Sequence, residues 1–143
     1  MHEYTSISRV WSLSCPGSPE EVSRVRRWTR DILRGSPMAD DAELIVSELS
    51  ANAILHTASG QGCGSFHLTV TISPKVIALS VTDEGGTNTA PKVEHPEESA
   101  VGGRGLDIVN ALAHLVVVND SQNGHTITAQ FFVDNSNINE PTT

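Results

Sequence analysis

The hydrophobic and polar positions of this 143-residue chain follow a helical period in three stretches. The longest covers residues 39–57, where apolar side chains recur at spacings of three and four, a pattern typical of a helix that packs one face on a core. A second helix is predicted from Ser18, the expected N-cap, to about Leu33. A third, short amphipathic helix is predicted over residues 106–112.

Five other stretches are typical of strands because they alternate or are rich in β-branched residues. They are residues 8–13, 66–72, 76–81, 115–118 and 126–133. The short Ser73-Pro74-Lys75 connection predicts that the second and third strands form an antiparallel hairpin. A turn over residues 119–124 is expected to join the last two strands.

The segment between the third strand and the third helix has no period. Residues 87–101 contain two prolines and three glutamates, which predicts a mobile loop, and residues 1–7 and 134–143 are expected to be flexible. The whole chain, residues 1–143, has the length of a single domain. Segregated hairpins and helices predict an α/β (α+β) two-layer sandwich, with a mixed, mainly antiparallel sheet and the helices on one face.

The charge balance argues against a nucleic-acid partner. Asp and Glu total 17 against nine Lys and Arg, a net charge of −8, whereas nucleic-acid binding needs a basic surface. Most of the basic residues lie on the outward face of the first helix: Arg24, Arg26, Arg27, Arg30 and Arg34. A solvated face is the first interpretation of this cluster, and a protein-binding surface is the alternative.

The two cysteines do not form a recognisable site. Cys15 and Cys63 are far apart and lack the spacing of a zinc site or of a disulfide framework. The chain shows neither a signal-peptide core nor an apolar run that could cross a bilayer. A cytoplasmic protein without membrane contact is therefore expected.

Glu48 and Asn52 lie four residues apart on the central predicted helix, so both side chains should point to the same side. A carboxamide oxygen suits Mg²⁺, and a nearby carboxylate can orient or deprotonate a nucleophile. Taken alone, the pair would be a solvated glutamate and a capping asparagine.

Two glycine-containing stretches follow downstream. Asp83 comes after an apolar strand and before Gly85, which would let a ligand approach the backbone closely, although a turn aspartate is the alternative. Gly103 and Gly105 precede a helix whose free N–H groups form an anion site. Arg104 could add a charge to this site, or it could instead face a protein partner. A glycine hinge is the alternative there.

With these three motifs in this order, the chain resembles the GHKL (Bergerat-fold) ATP-binding domains, and among them the small bacterial anti-sigma-factor serine kinases. The family order is an N box, a D-x-G adenine motif and a G-x-G-L phosphate motif that opens a helix. The resemblance covers about residues 13–133. It implies that a nucleotide lies between the helix layer and the mobile loop.

The resemblance also implies roles for individual residues. The ligands of ATP would be Asp83 for the adenine amine, Gly85, the phosphate-loop residues Gly103, Arg104, Gly105 and Leu106, and Thr126 facing the phosphates. His56 would be structural or close to the nucleotide. Thr87 stands where the fuller D-x-G-x-G motif has its second glycine, which bears on loop mobility and affinity.

The function that the resemblance implies is an ATP-dependent protein serine/threonine kinase. Glu48 would be the catalytic base and Asn52 the Mg²⁺ ligand, and the protein would bind a sigma factor and phosphorylate a serine of an anti-anti-sigma (STAS) partner. The alternative is a non-catalytic module that binds proteins in response to ATP. The catalytic half of a histidine kinase is disfavoured because no long helical hairpin with a phosphoacceptor histidine is visible. The sequence leaves open whether the protein forms a homodimer.

Overall fold

Five strands and three helices form the part of the chain that the computed structural model describes, residues 7–56, 64–84, 104–121 and 124–133. In chain order they are β1 (Arg9–Pro16), α1 (Glu21–Ile32), α2 (Ala39–His56), β2 (Ser65–Ile72), β3 (Val76–Thr82), α3 (Arg104–Leu112), β4 (Leu115–Ser121) and β5 (Gly124–Phe132). All eight predicted elements are present. The predicted loop over residues 87–101 and the tail over residues 134–143 lie outside the described residues.

The strands form one open sheet in the order β1-β2-β3-β5-β4. All four pairings between the described strands are antiparallel. The predicted β2–β3 hairpin is confirmed, and its turn is closed by the Ser73 N–H, which donates to the Val76 carbonyl at 2.9 Å. A short turn of this kind can only join antiparallel strands.

The core lies between the sheet and the helices. Alternate residues of β2, such as Phe66 and Leu68, are fully buried, and α2 buries Ile45 and Leu49 in the same cluster. Burying each such side chain stabilises the fold by about 1.5–3 kcal/mol. Sheet and helix layer together confirm the predicted two-layer α+β sandwich.

The opposite face of the sheet carries hydroxyl side chains where β3 and β5 pair, and it also exposes the apolar side chains of Leu115, Val117 and Phe132. Hydroxyl pairs cross from β3 to β5 on this face: Ser80 with Thr128 and Thr82 with Thr126, each at 2.9 Å between oxygen atoms. We refer to it as the uncovered face. Because hydroxyl groups can bond either to each other or to water, the part of this face between β3 and β5 does not need a covering helix.

The arginines of α1 lie outward as predicted, and two of them contact α2. The side chains of Arg26 and Arg30 both donate to the Glu43 carboxylate, and Arg30 also reaches Asp40 at 3.4 Å. Exposed ion pairs of this kind contribute less than about 1 kcal/mol each. Their contribution to the free energy of unfolding is therefore small, and their main effect is on the relative orientation of α1 and α2.

Ser18 is not the N-cap of α1. The helix begins at Glu21, and the cap position is taken by Glu20, which makes no side-chain capping bond. Ser18 instead accepts the Glu21 N–H through its backbone carbonyl at 2.9 Å. A tight turn of backbone bonds therefore starts the helix in place of the predicted side-chain cap.

The predicted turn between the last two strands is too long. Residues 119–121 belong to β4 and Gly124 begins β5, since antiparallel pairing continues to Ser121 and Gly124. β1 likewise continues beyond residue 13 to Pro16, because β2 pairs along its whole length. None of the described helices has the length and apolarity of a membrane span.

Candidate functional site

Asp83 directly follows β3 on the face of the sheet that the helices cover. It continues the series of buried alternate positions after Leu79 and Val81, with 9% of its surface exposed. Its backbone N–H donates to the His125 carbonyl at 2.9 Å, which extends the ladder between β3 and β5 by one residue. The predicted position at a strand end is thus observed.

The Asp83 carboxylate is held by the neighbouring strand. Its Oδ1 atom accepts the backbone N–H of His125 at 3.2 Å. A hydrogen bond to an ionised carboxylate is stronger than one between neutral groups, so this contact restricts the rotation of the side chain. The acid is therefore presented in a defined orientation at the covered end of β3.

His125, which the sequence analysis did not select, lies beside Asp83 on the same face. Its Nδ1 atom is 2.6 Å from Asp120 Oδ1, and the two residues are directly opposite in the β4–β5 register. A signal for this placement exists in the sequence. Ile127 and Ala129 follow His125 at intervals of two, so a strand with these apolar residues inward also turns His125 inward.

Thr126 lies on the other face. Its hydroxyl bonds to Thr82 on the uncovered face, whereas Asp83 is on the covered face. The structure therefore does not bring the Thr126 side chain and the Asp83 carboxylate together. Contact of Thr126 with a nucleotide stays a prediction.

Glu48 and Asn52 are both half-buried residues of α2, one helical turn apart, as the spacing predicts. Glu48 lines a polar groove of about 430 Å³ between α1 and α2. The other lining residues are Arg26, Arg30, Asp40, Glu43, Leu44 and Ser47. Solvent and a partner side chain can thus approach the Glu48 carboxylate along this groove.

The elements that carry the three motifs are neighbours in the fold. α2 contacts both β3 and α3. Arg104 and Gly105 are the first residues of α3, so the helix begins two residues before the predicted start at Leu106, and Gly105 lies in its first turn rather than before it. Leu106 is partly buried against the core, while Gly85 and Gly103 lie outside the described residues. His56 is the last residue of α2.

The oxygen donors of α2 suit a magnesium ion that is shared with a phosphate ligand. Mg²⁺ commonly takes one or two protein oxygen atoms and completes its octahedron with phosphate and water. Asn52 supplies a neutral oxygen and Glu48 a carboxylate on the same side of the helix. Among the described residues, no group of three or more His, Cys, Asp or Glu is arranged to hold a metal by itself.

Comparison with protein families identifies a match over most of the chain. A model described as the histidine kinase-like ATPase domain matches residues 15–131, from the end of β1 to the end of β5. This span contains the α2 pair, Asp83 and the start of α3. No curated protein matches the chain significantly.

Proposed function

The chain belongs to the histidine kinase-like ATPase domain family, and from this premise we propose that it binds ATP and phosphorylates a serine of a protein partner. The partner class that we propose is an anti-anti-sigma protein of the STAS type, with a sigma factor as the second partner in the cytoplasm. The observation that carries the proposal is the position of Asp83, a buried carboxylate held at the covered end of β3.

Asp83 supplies the base-binding group. An ionised carboxylate only accepts hydrogen bonds, so it pairs with an exocyclic amine and repels a carbonyl oxygen. Adenine presents such an amine. The Asp83 carboxylate has its orientation set before the ligand arrives, because the His125 N–H holds it. Pre-organisation of this kind lowers the entropic cost of binding.

Glu48 and Asn52 supply the chemistry of transfer. Asn52 would hold Mg²⁺ together with ATP, which supplies the phosphoryl group when bound. Glu48 accepts the proton of the serine hydroxyl while the serine oxygen forms its bond to phosphorus and the bond to the ADP oxygen breaks. The serine approaches along the groove between α1 and α2, where the Glu48 carboxylate can be reached from solvent.

The test is a phosphorylation assay. The protein is incubated with Mg-ATP and each STAS-type protein of the same cell, and phosphoserine is identified by mass spectrometry. Parent protein should modify one of them, and Glu48→Gln should not. If the protein binds a partner tightly in the presence of ATP but no phosphoserine forms, its function is that of the non-catalytic binding module and not of a kinase. Absence of ATP binding by calorimetry would refute both functions.

A further inference from the structure

We propose that the Asp120–His125 pair sets the preference of the Asp83 site for a base with a 6-amino group. The inference rests on the proposed binding of ATP and adds a specificity-determining residue to it. His125 would act as a second hydrogen-bond acceptor beside the Asp83 carboxylate, and Asp120 would act only by positioning the His125 ring.

The three residues form a row across three strands. Asp120 and His125 are register partners between β4 and β5, and Asp83 faces His125 one step beyond Thr82 and Thr126, the last pair of the β3–β5 register. Directly opposite residues on one face have Cβ atoms about 5 Å apart. A group bound by the Asp83 carboxylate therefore lies within reach of the His125 ring, which is 40% exposed and accessible to a ligand.

The contact with Asp120 determines the tautomer of the histidine. A carboxylate has no hydrogen to donate, so at 2.6 Å from Asp120 Oδ1 the His125 Nδ1 atom must carry the hydrogen. In the neutral ring the other nitrogen, Nε2, then has the lone pair and accepts hydrogen bonds. Asp120 thus makes Nε2 an acceptor.

Two acceptors in one site select for an amine. The 6-amino group of adenine has two hydrogens, one for the Asp83 carboxylate and one for His125 Nε2. The 6-keto oxygen of hypoxanthine has none and would face two acceptors. A site with this composition therefore favours ATP over ITP, because an unpaired acceptor loses its hydrogen bonds to water without replacement.

The experiment measures the ratio of ATP to ITP affinity by calorimetry with Mg²⁺. Parent protein should prefer ATP, and both His125→Ala and His125→Phe should reduce that preference about three- to tenfold, the effect of one hydrogen bond. Asp120→Ala should reduce it too. In the Asp120→Ala/His125→Ala double variant the ratio should equal that of His125→Ala, because Asp120 acts through the ring.

The matched control is His67→Ala. The His67 ring bonds to Ser14 Oγ at 2.8 Å on the uncovered face, so its removal should leave the ratio at the parent value. Parental ratios in both His125 variants, or a further drop on adding Asp120→Ala to His125→Ala, would overturn the inference while ATP binding stood. A parent protein that binds neither nucleotide would overturn the proposed function and this inference with it.

Discussion

Gly124 packs directly against the backbone carbonyl of Asp83: a Cβ atom on residue 124 would lie 2.1 Å from that oxygen. Such a distance is much shorter than any non-bonded contact between a carbon and an oxygen atom. The obstacle is a backbone carbonyl, which cannot rotate away as a side chain could. The glycine at the start of β5 is thus required by a close approach of two strands. It allows the ladder that holds the Asp83 carboxylate to form.

We expect Gly124→Ala to reduce the free energy of unfolding by about 2 kcal/mol, because β5 must shift away from Asp83. It should also weaken ATP binding, since the shift moves the His125 N–H. Urea unfolding and calorimetry check the two effects. Gly35→Ala is the matched control: φ is +86° there and no atom lies within 4 Å of the added carbon. It should cost about 1 kcal/mol through backbone strain and leave ATP affinity unchanged.

Asp83→Asn should weaken ATP binding about 10- to 100-fold, the effect of losing a charged acceptor that pairs with an amine. The fold should persist, since the amide oxygen can still accept the His125 N–H. Calorimetry and a thermal melt separate affinity from stability. The control Asp31→Asn removes a carboxylate that pairs only with Arg34 among the described residues. Parental affinity in Asp83→Asn would show that another group binds the adenine amine.

Glu48→Ala should keep ATP affinity and lose about 100-fold or more in phosphoryl transfer, because a general base acts on the incoming hydroxyl. Asn52→Ala should in addition remove the dependence of ATP binding on Mg²⁺, since a metal ligand acts on the bound complex. Titration with and without Mg²⁺ distinguishes the two. Asp41→Asn, on the same helix, is the control. A parental rate of transfer in Glu48→Ala would exclude Glu48 as the base.

Cys15 should be chemically inert in the folded protein. Burial raises the pKa of its thiol from 9.0 to about 11, and the Arg24 guanidinium opposes this effect only in part. The thiolate is the reactive form, so alkylation at about pH 8 should be roughly 100-fold slower in the folded than in the urea-unfolded protein. The measurement uses the Cys63→Ser variant, in which Cys15 is the one remaining thiol. Equal rates in both states would contradict the burial of Cys15.

The same shift in the Cys15 pKa predicts a pH dependence of stability. Between pH 9.0 and about 11 the unfolded chain releases the thiol proton while the folded chain retains it. The contribution of Cys15 to stability is therefore complete below that window and is lost as pH rises through it. The free energy of unfolding is measured against pH for the parent protein and for Cys15→Ala. The difference between the two curves isolates the contribution of Cys15 from that of other groups that titrate in this pH range. A difference curve that is flat across the window would contradict the prediction.

Ser50→Ala should stabilise the fold by about 1 kcal/mol. The Ser50 side chain is fully buried in α2, and its hydroxyl has no hydrogen-bond partner among the described residues. Removing an unsatisfied hydroxyl recovers its desolvation cost, and alanine also favours the helix. Ser47→Ala is the matched control, because the Ser47 hydroxyl donates to the Glu43 carbonyl at 2.9 Å. Its effect should be smaller, within about 0.5 kcal/mol.

Local sequence patterns are sufficient to predict the helices and strands of this protein without its tertiary contacts. The apolar spacing of α2 and the β-branched runs of β2 and β3 predict helix and strands because both periods are properties of neighbouring residues. Charge and cysteine spacing likewise limited the classes of function. The order of three short motifs was sufficient to indicate the family, since each motif is a contiguous stretch.

Only the tertiary structure decided which side chains meet. The bond that orients Asp83 joins residues 42 positions apart, and it depends on the register of β5 against β3. A slip of one residue would place Thr126 on the covered face and His125 on the other. Register is set by which strand residues are buried between the sheet and the helices, and for that reason the Asp120–His125 pair was absent from the sequence prediction. The groove at Glu48 was absent because it depends on how α1 packs on α2.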